Sequence, residues 1–301
     1  RVRAPPANGR ICIFTQTAGT MSAAMHQNRH GNAMVKFIAT DLDGTLLDGE
    51  KRLPEEIFPL VRKLTSLGVL FAPASGRQYA NVRKLFAPVA DDALFICENG
   101  ALVKYRGKTL HLNPIRDRDV LGALREIRAL PHLFPMLCGA DFAYIENSEM
   151  PFFKYAMLSY TNCKKVENLE DVIGKEDICK IAVYDEIAAA ENCIKVLPQR
   201  LPGLRTILSG FDWCDVSAPD ANKGEAIRFI RRAFGLEKEE CVAFGDHMND
   251  FEMLGECGRA YVPENAYLPL KKLIGRVIPA NTEGGVLVKL KEIIKELEET
   301  A

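Results

Sequence analysis

VKFIATDLDGTLL, residues 35–47, is an apolar run that ends in two carboxylates, a glycine and a threonine. The run reads as a buried strand with Asp41 and Asp43, two residues apart, at its end. Like charges this close repel each other and are costly to desolvate, so a metal ion or a chemical task is expected to compensate them. Working outward, PEEIFPLVRKLTSLG carries Ile57, Leu60, Val61 and Leu64 at helical spacing and stops at Gly68, with Pro59 marking a kink or a late start. VLFAPA predicts a second strand, YANVRKLFAPV a second helix and ALFICENGA a third strand. This alternation is the rhythm of a parallel sheet with helices on its faces.

From about Asn113 to about Trp213 the rhythm changes. LGALREIRAL and AAAENCIKVLPQRL predict helices, FAYIEN and ICKIAVYD strands, and an aromatic-rich segment, MPFFKYAMLSYTNCKK, lies between them. This reads as an inserted α+β layer. Its aromatics (Phe142, Tyr144, Phe152, Phe153, Tyr155, Tyr160) are taken as the layer's own core in preference to a stacking platform for a base or sugar. The parallel rhythm then resumes with helix KGEAIRFIRRAFG, strand CVAFG, helix DFEMLGEC, strand RAYVP and the amphipathic tail VLVKLKEIIKELEE. The expected division is a core of residues 34–113 and 214–301 around an insert of 114–213.

The chain of 301 residues is long enough for these two domains, and 39 basic against 40 acidic residues leave no global positive field for nucleic acid or anionic membrane. A small-molecule partner is expected, with the protein a monomer or a weak homo-oligomer. Nine scattered cysteines without a Cys-x-x-Cys pair read as free thiols of a cytoplasmic protein. No apolar run approaches the roughly 18 residues that span a bilayer. Residues 1–33 precede the first convincing strand, and the chain carries no acidic residue before Asp41. That composition suits a transit segment, an expression leader or a misplaced start; the expectation is a leader outside the fold, with Met34 as the natural start.

Three apolar runs end in a chemically loaded residue: VKFIAT in Asp41, VLFAPA in Ser75 and CVAFG in Asp246. In an open parallel sheet ligands bind outside the carboxyl ends of the strands, so these endings can converge. DLDGTLL (41–47), ASGR (74–77), NKG (222–224) and GDHMND (245–250) resemble, in order and spacing, the four motifs of the haloacid dehalogenase superfamily of phosphohydrolases. The insert's place and size are similar to those of its Cof-type sugar-phosphate phosphatases. The resemblance implies a Rossmann-like α/β core with an inserted α+β cap of type IIB, the two closing over a small organic phosphate.

It further implies Asp41 as a nucleophile that forms an aspartyl-phosphate, and Asp43 as the acid and base that serves the leaving oxygen and then the water. Mg²⁺ is expected on the Asp41 carboxylate, the Asp43 carbonyl and Asp246, with Asp250 close behind. Ser75 and Lys223 match positions that supply a hydroxyl and an ammonium to phosphate, and Gly76 and Asn249 belong to the same motifs. Ser75 is otherwise a helix cap and Lys223 a solvated first-turn lysine, although a cation at a helix N-terminus calls for an anion nearby. Thr45 orients the loop or pairs in a strand; Arg77 and Asn99 contact substrate or tie loops together. His247 stands where many relatives have Asn or Gly, and reads as a residue of the site mouth. Two rival functions share these residues: a phosphotransferase or mutase on the same fold, and a non-catalytic module that binds a phosphorylated ligand.

Overall fold

Apolar runs and amphipathic stretches alternate in the sequence, and the computed structural model, which describes residues 33–146, 153, 156–157 and 160–300, alternates strand and helix accordingly. The first segment holds β1 (Phe37–Thr40), β2 (Leu70–Pro73), β3 (Leu94–Cys97), β4 (Leu102–Tyr105) and β5 (Lys108–Leu112). The middle segment holds β6 (Leu133–Gly139), β7 (Ala143–Ile145), β8 (Cys163–Lys165), β9 (Ile178–Asp185), β10 (Arg205–Leu208) and β11 (Trp213–Ser217). The last holds β12 (Cys241–Phe244), β13 (Arg259–Pro263) and β14 (Val277–Ile278).

Five strands form a parallel sheet in the order β14-β13-β12-β1-β2. Bridges from Phe71 to Ala93 and from Ala74 to Ile96 carry it on to β3, which opens the antiparallel β3-β4-β5 sheet. Both faces of the parallel sheet are covered, which is why its strands read as continuous apolar runs. On one face Ile38, Phe71, Val242 and Phe244 pack against helices Ile57–Ser66 and Gly285–Glu298 through Val61, Leu64, Leu290 and Ile293. On the other, Phe37, Ala39, Ala72 and Ala243 pack against helix Lys223–Phe234 through Ala226, Ile227 and Ile230. Pro59 lies in the first turn of its helix, where its missing N–H breaks no helical bond.

The middle segment forms its own sheet, β10-β11-β9-β6-β7-β8, antiparallel except between β7 and β8. Helices Asp117–Arg128 and Cys193–Arg200 cover one face through Val120, Leu124, Ile127 and Leu197. β11 crosses the position at which the sequence divides insert from core and pairs with β9 and β10 along its length. Phe153 and Tyr160 pack beside Met136 and Cys138 on the second face, whereas Phe152, Tyr155 and residues 1–32, the stretch expected to be a leader, lie outside the described residues. The eight described cysteines are free. Among the described residues no helix is long and apolar enough to cross a membrane.

Candidate active site

The register of the parallel sheet sets its chemistry. Thr40 stands level with Phe244 on one side and Pro73 on the other, so β1, β12 and β2 end together. Asp41 is the first residue past that edge, and its N–H donates to the Phe244 carbonyl at 2.9 Å. Ser75 lies two residues past β2, its N–H donating to the Ile96 carbonyl at 2.9 Å, and Asp246 two residues past β12. Beyond Asp41 the chain turns over Leu42–Leu46, anchored by the buried side chains of Leu42 and Leu46 and closed by the Leu47 N–H on the Leu42 carbonyl at 2.8 Å. Gly44 takes φ +83° there, and a Cβ on it would stand 2.5 Å from Asp246 Oδ2, so the turn admits only glycine at that point. Thr45 Oγ1 donates to Asp246 Oδ1 at 2.9 Å; of its two expected roles, it ties the loop.

Lys223 opens its helix with a side chain 1% exposed, and its Nζ lies 2.5 Å from Asp41 Oδ1 and 2.6 Å from Asp250 Oδ1. The anions that a cation at a helix N-terminus calls for are therefore these two carboxylates. The other oxygen of Asp250 accepts the N–H groups of Asp246 at 3.0 Å and His247 at 3.3 Å, so Asp250 shapes the loop that presents Asp246. Burial pushes Asp41 well above the usual carboxylate range; the Lys223 ammonium pulls it back, and Asp250 and Asp246 add to the rise. Asp246 is raised by burial and by Asp250. Burial alone would lower the Lys223 ammonium, but Asp250 and Asp41 override it and hold it above its ordinary value.

One carboxylate oxygen from each of Asp41, Asp246 and Asp250 lies within 4.8 Å of the others. Three carboxylates share one ammonium, so the ionised cluster is two positive charges short of balance. Hard oxygen donors with that deficit fit a hard divalent cation.

Around the cluster, Arg77 grips Asp43 with two bonds, Nε to Oδ2 at 2.8 Å and an Nη to Oδ1 at 2.5 Å, which makes it a tie between loops. Ser75 is not a helix cap, because the next helix starts at Tyr79 with Gln78 in the capping position; its Oγ accepts the Arg77 N–H at 3.2 Å. Asn99, at φ +56°, donates from Nδ2 to Asp215 Oδ2 at 2.8 Å. Asn249 and His247 line a cavity of about 760 Å³, and the His247 ring lies 5.1 Å from that of Tyr267. Tyr160, Lys180, Trp213 and Asp215 of the insert line the same cavity. Lys180, Trp213, Asp215 and Gln78 were not singled out from the sequence. The available signal was a charge inside an apolar strand, Lys180 in ICKIAVYD and Asp215 in WCDVS, since such a charge is buried only with partners.

Fold and site define a hydrolase of phosphate esters with a capped parallel-sheet core. Residues 38–290 match the haloacid dehalogenase-like hydrolase family, and the chain belongs to that family; its enzyme class is phosphoric monoester hydrolase. The chain is 26% identical over 269 residues to the 5-amino-6-(5-phospho-D-ribitylamino)uracil phosphatase YbjI of Escherichia coli (strain K12), covering 87% of this chain and 97% of that one. A solved structure from Eubacterium rectale is 30% identical with a TM-score of 0.79, over 86% of this chain and 99% of its own. The sugar phosphatase BT4131, described as of HAD subclass IIB, shares the fold at a TM-score of 0.70 and 20% identity, over 86% of this chain and 98% of its own.

Proposed function

We propose that the protein hydrolyses small organic phosphomonoesters, sugar and polyol phosphates foremost, through an aspartyl-phosphate on Asp41. The observation that carries this reading is the buried Asp41, wedged between Lys223 and the Asp246 and Asp250 carboxylates at the edge of the sheet and open to the cavity. A carboxylate oxygen of Asp41 attacks phosphorus as the bond to the leaving oxygen breaks and Asp43 gives that oxygen a proton. Water then attacks the same phosphorus, Asp43 takes its proton, and the bond to Asp41 breaks to release inorganic phosphate.

Asp43 cannot serve the leaving oxygen while both its oxygens hold Arg77, so it exchanges the guanidinium for the ester oxygen when substrate arrives. Side chains 42% exposed at Asp43 and 29% at Arg77 leave room for that turn. Lys223 and the Ser75 hydroxyl supply donors to the equatorial oxygens, on which charge spreads during transfer. Asp41, the Asp43 carbonyl and Asp246, backed by Asp250, would hold Mg²⁺, which neutralises phosphate charge when bound. A cavity shared by core and insert gives the leaving group its room, and the relative that acts on a phosphorylated ribityl compound supports a polyol or sugar ester as the substrate class.

The test is phosphate release from a panel of sugar, nucleotide and cofactor phosphates, with Mg²⁺ and with chelator, for wild type and Asp41→Asn. Metal-dependent release that Asp41→Asn abolishes while keeping its fold is the expected result. Turnover that persists in the folded variant would refute the assigned nucleophile.

A further inference from the structure

We propose that Lys180 is a positioning residue of the phosphate site: carried by the insert, its ammonium fixes the peptide between Gly76 and Arg77 and so aims the Ser75 hydroxyl. The proposal rests on the reading of Ser75 as a phosphate donor. Lys180 lies on β9, in the middle of the insert's sheet, and its side chain is 4% exposed. Its Nζ donates to the Gly76 carbonyl at 2.8 Å and to Asp215 Oδ2 at 2.9 Å, and stands 3.3 Å from Glu98 Oε2. Two of the three ammonium protons are thereby spent on the Gly76 carbonyl and Asp215, and through the first of them the insert holds a loop of the core.

What it holds is the middle of the Ser75–Arg77 loop. The carbonyls on either side are held by the core itself: Ser75 O accepts the Asn99 N–H at 3.1 Å and Arg77 O accepts the Glu98 N–H at 3.2 Å. The Gly76 carbonyl alone of the three is held from the insert. A trans peptide is planar, with its C=O and N–H pointing opposite ways, so drawing the Gly76 oxygen toward Lys180 turns the Arg77 N–H toward the other side. There it meets Ser75 Oγ at 3.2 Å. The hydroxyl spends a lone pair on that N–H and keeps its proton for a phosphate oxygen. Side chains would obstruct the arrangement, since a Cβ at Gly76 would stand 2.7 Å from Asn99 Oδ1. Asp215 supplies the counter-charge that keeps Lys180 in place, and it ties the same assembly to Asn99. Seating the insert thus completes the orientation of a donor that belongs to the core.

The test is a double-mutant cycle of Lys180→Met and Ser75→Ala, read in 4-nitrophenyl phosphate turnover with Mg²⁺ and, separately, in affinity for inorganic phosphate. Lys180→Met is expected to lower kcat roughly 10- to 100-fold with Ser75 present. In the Ser75→Ala background the same change should cost less than about twofold, and Lys180→Arg should recover part of the loss, because the effect runs through the hydroxyl. Should Lys180→Met unfold, the charge-compensated pair Lys180→Met/Asp215→Asn carries the same cycle. Equal losses in both backgrounds, or none, would overturn the positioning role and leave the hydrolase intact. Coupling seen in phosphate affinity without turnover in wild type would uphold the positioning and overturn the hydrolase, while a wild type that binds no phosphate would overturn both.

Discussion

Glu98 follows β3 with φ +50°, fully buried, and neither carboxylate oxygen has a hydrogen-bond partner among the described residues. Lys180 Nζ lies 3.3 Å away, off the line of a hydrogen bond. Burial raises this carboxyl from its ordinary 4.5 to about 7, with Lys180 opposing the rise and Asp215 adding to it. Between those two values the folded chain holds a proton that the unfolded chain has released, so stability falls as pH rises through that window. The contribution is fully present below about pH 4.5 and lost once pH has passed about 7. At about 1.4 kcal/mol per pH unit, the interval amounts to about 3 kcal/mol. Glu98→Gln never ionises, and Lys180 keeps Asp215 and the Gly76 carbonyl. Urea unfolding of wild type and Glu98→Gln at steps from pH 5 to 8 should therefore show the variant gaining about 3 kcal/mol relative to wild type across the range. A difference between the two proteins that stays constant with pH would refute the reasoning.

Two further outcomes follow from the site. Gly44→Ala places a methyl 2.5 Å from Asp246 Oδ2 at a positive φ, so the loop carrying Asp43 must shift. A fall in kcat on 4-nitrophenyl phosphate of tenfold or more (~10-fold for each 1.4 kcal/mol) is expected together with a lower Tm, because alanine is strained at that φ; unaltered kcat would count against the close approach. Lys223→Met leaves the buried carboxyls of Asp41 and Asp250 without their ammonium and should destabilise the protein by about 3–5 kcal/mol. Added MgCl₂ should raise the Tm of that variant more than that of wild type, because the dication supplies the missing charge; equal shifts would argue against a shared charge balance.

The parallel sheet was legible because its strands are buried on both faces and stand between amphipathic helices that carry their own stops. ICKIAVYD and RAYVP fall on β9 and β13 residue for residue. β6 was hidden by Pro135, which argues against a strand. β7 pairs with β6 only at Leu137 and Cys138, so Pro135 lies where that flank of β6 is unpaired. β5, KTLHL, was hidden by its half-exposed pattern, and β11, which runs between Ser209-Gly210 and Pro219-Asp220, was cut by the boundary expected between residues 213 and 214. In the site, spacing brought together the residues at strand ends, because the sheet guarantees that those ends converge. It gave no sign of Arg77 gripping Asp43, a tie between two loops of the core, or of Lys180 reaching Gly76, which depends on a side chain crossing from insert to core.

Those crossings are polar. Gln78 Nε2 donates to the Asn162 carbonyl at 2.9 Å while its Oε1 accepts the Asn162 N–H at 3.0 Å, and Asn81 Oδ1 accepts the Thr161 N–H at 2.7 Å. Lys104 pairs with Asp141 at 2.7 Å and Arg205 with Glu252 at 2.9 Å, and Lys180 and Asp215 reach the core at Gly76 and Asn99. Most of the insert's apolar residues, by contrast, gather in clusters of their own, one on each face of its sheet, while Cys179 and Ala140 pack with the core's. Hydrogen bonds exchanged for water cost little net free energy, whereas parting two apolar faces costs about 25 cal/mol for each Å² exposed. An insert held mainly by the former has little apolar contact to give up on parting from the core. The loop from Ser75 to Gln78 meets both demands at once: it offers a hydroxyl to the cavity, grips Asp43 through Arg77, and takes the insert's hydrogen bonds at Gly76 and Gln78. Seating of the insert and alignment of the donors are therefore one event in the geometry of this chain.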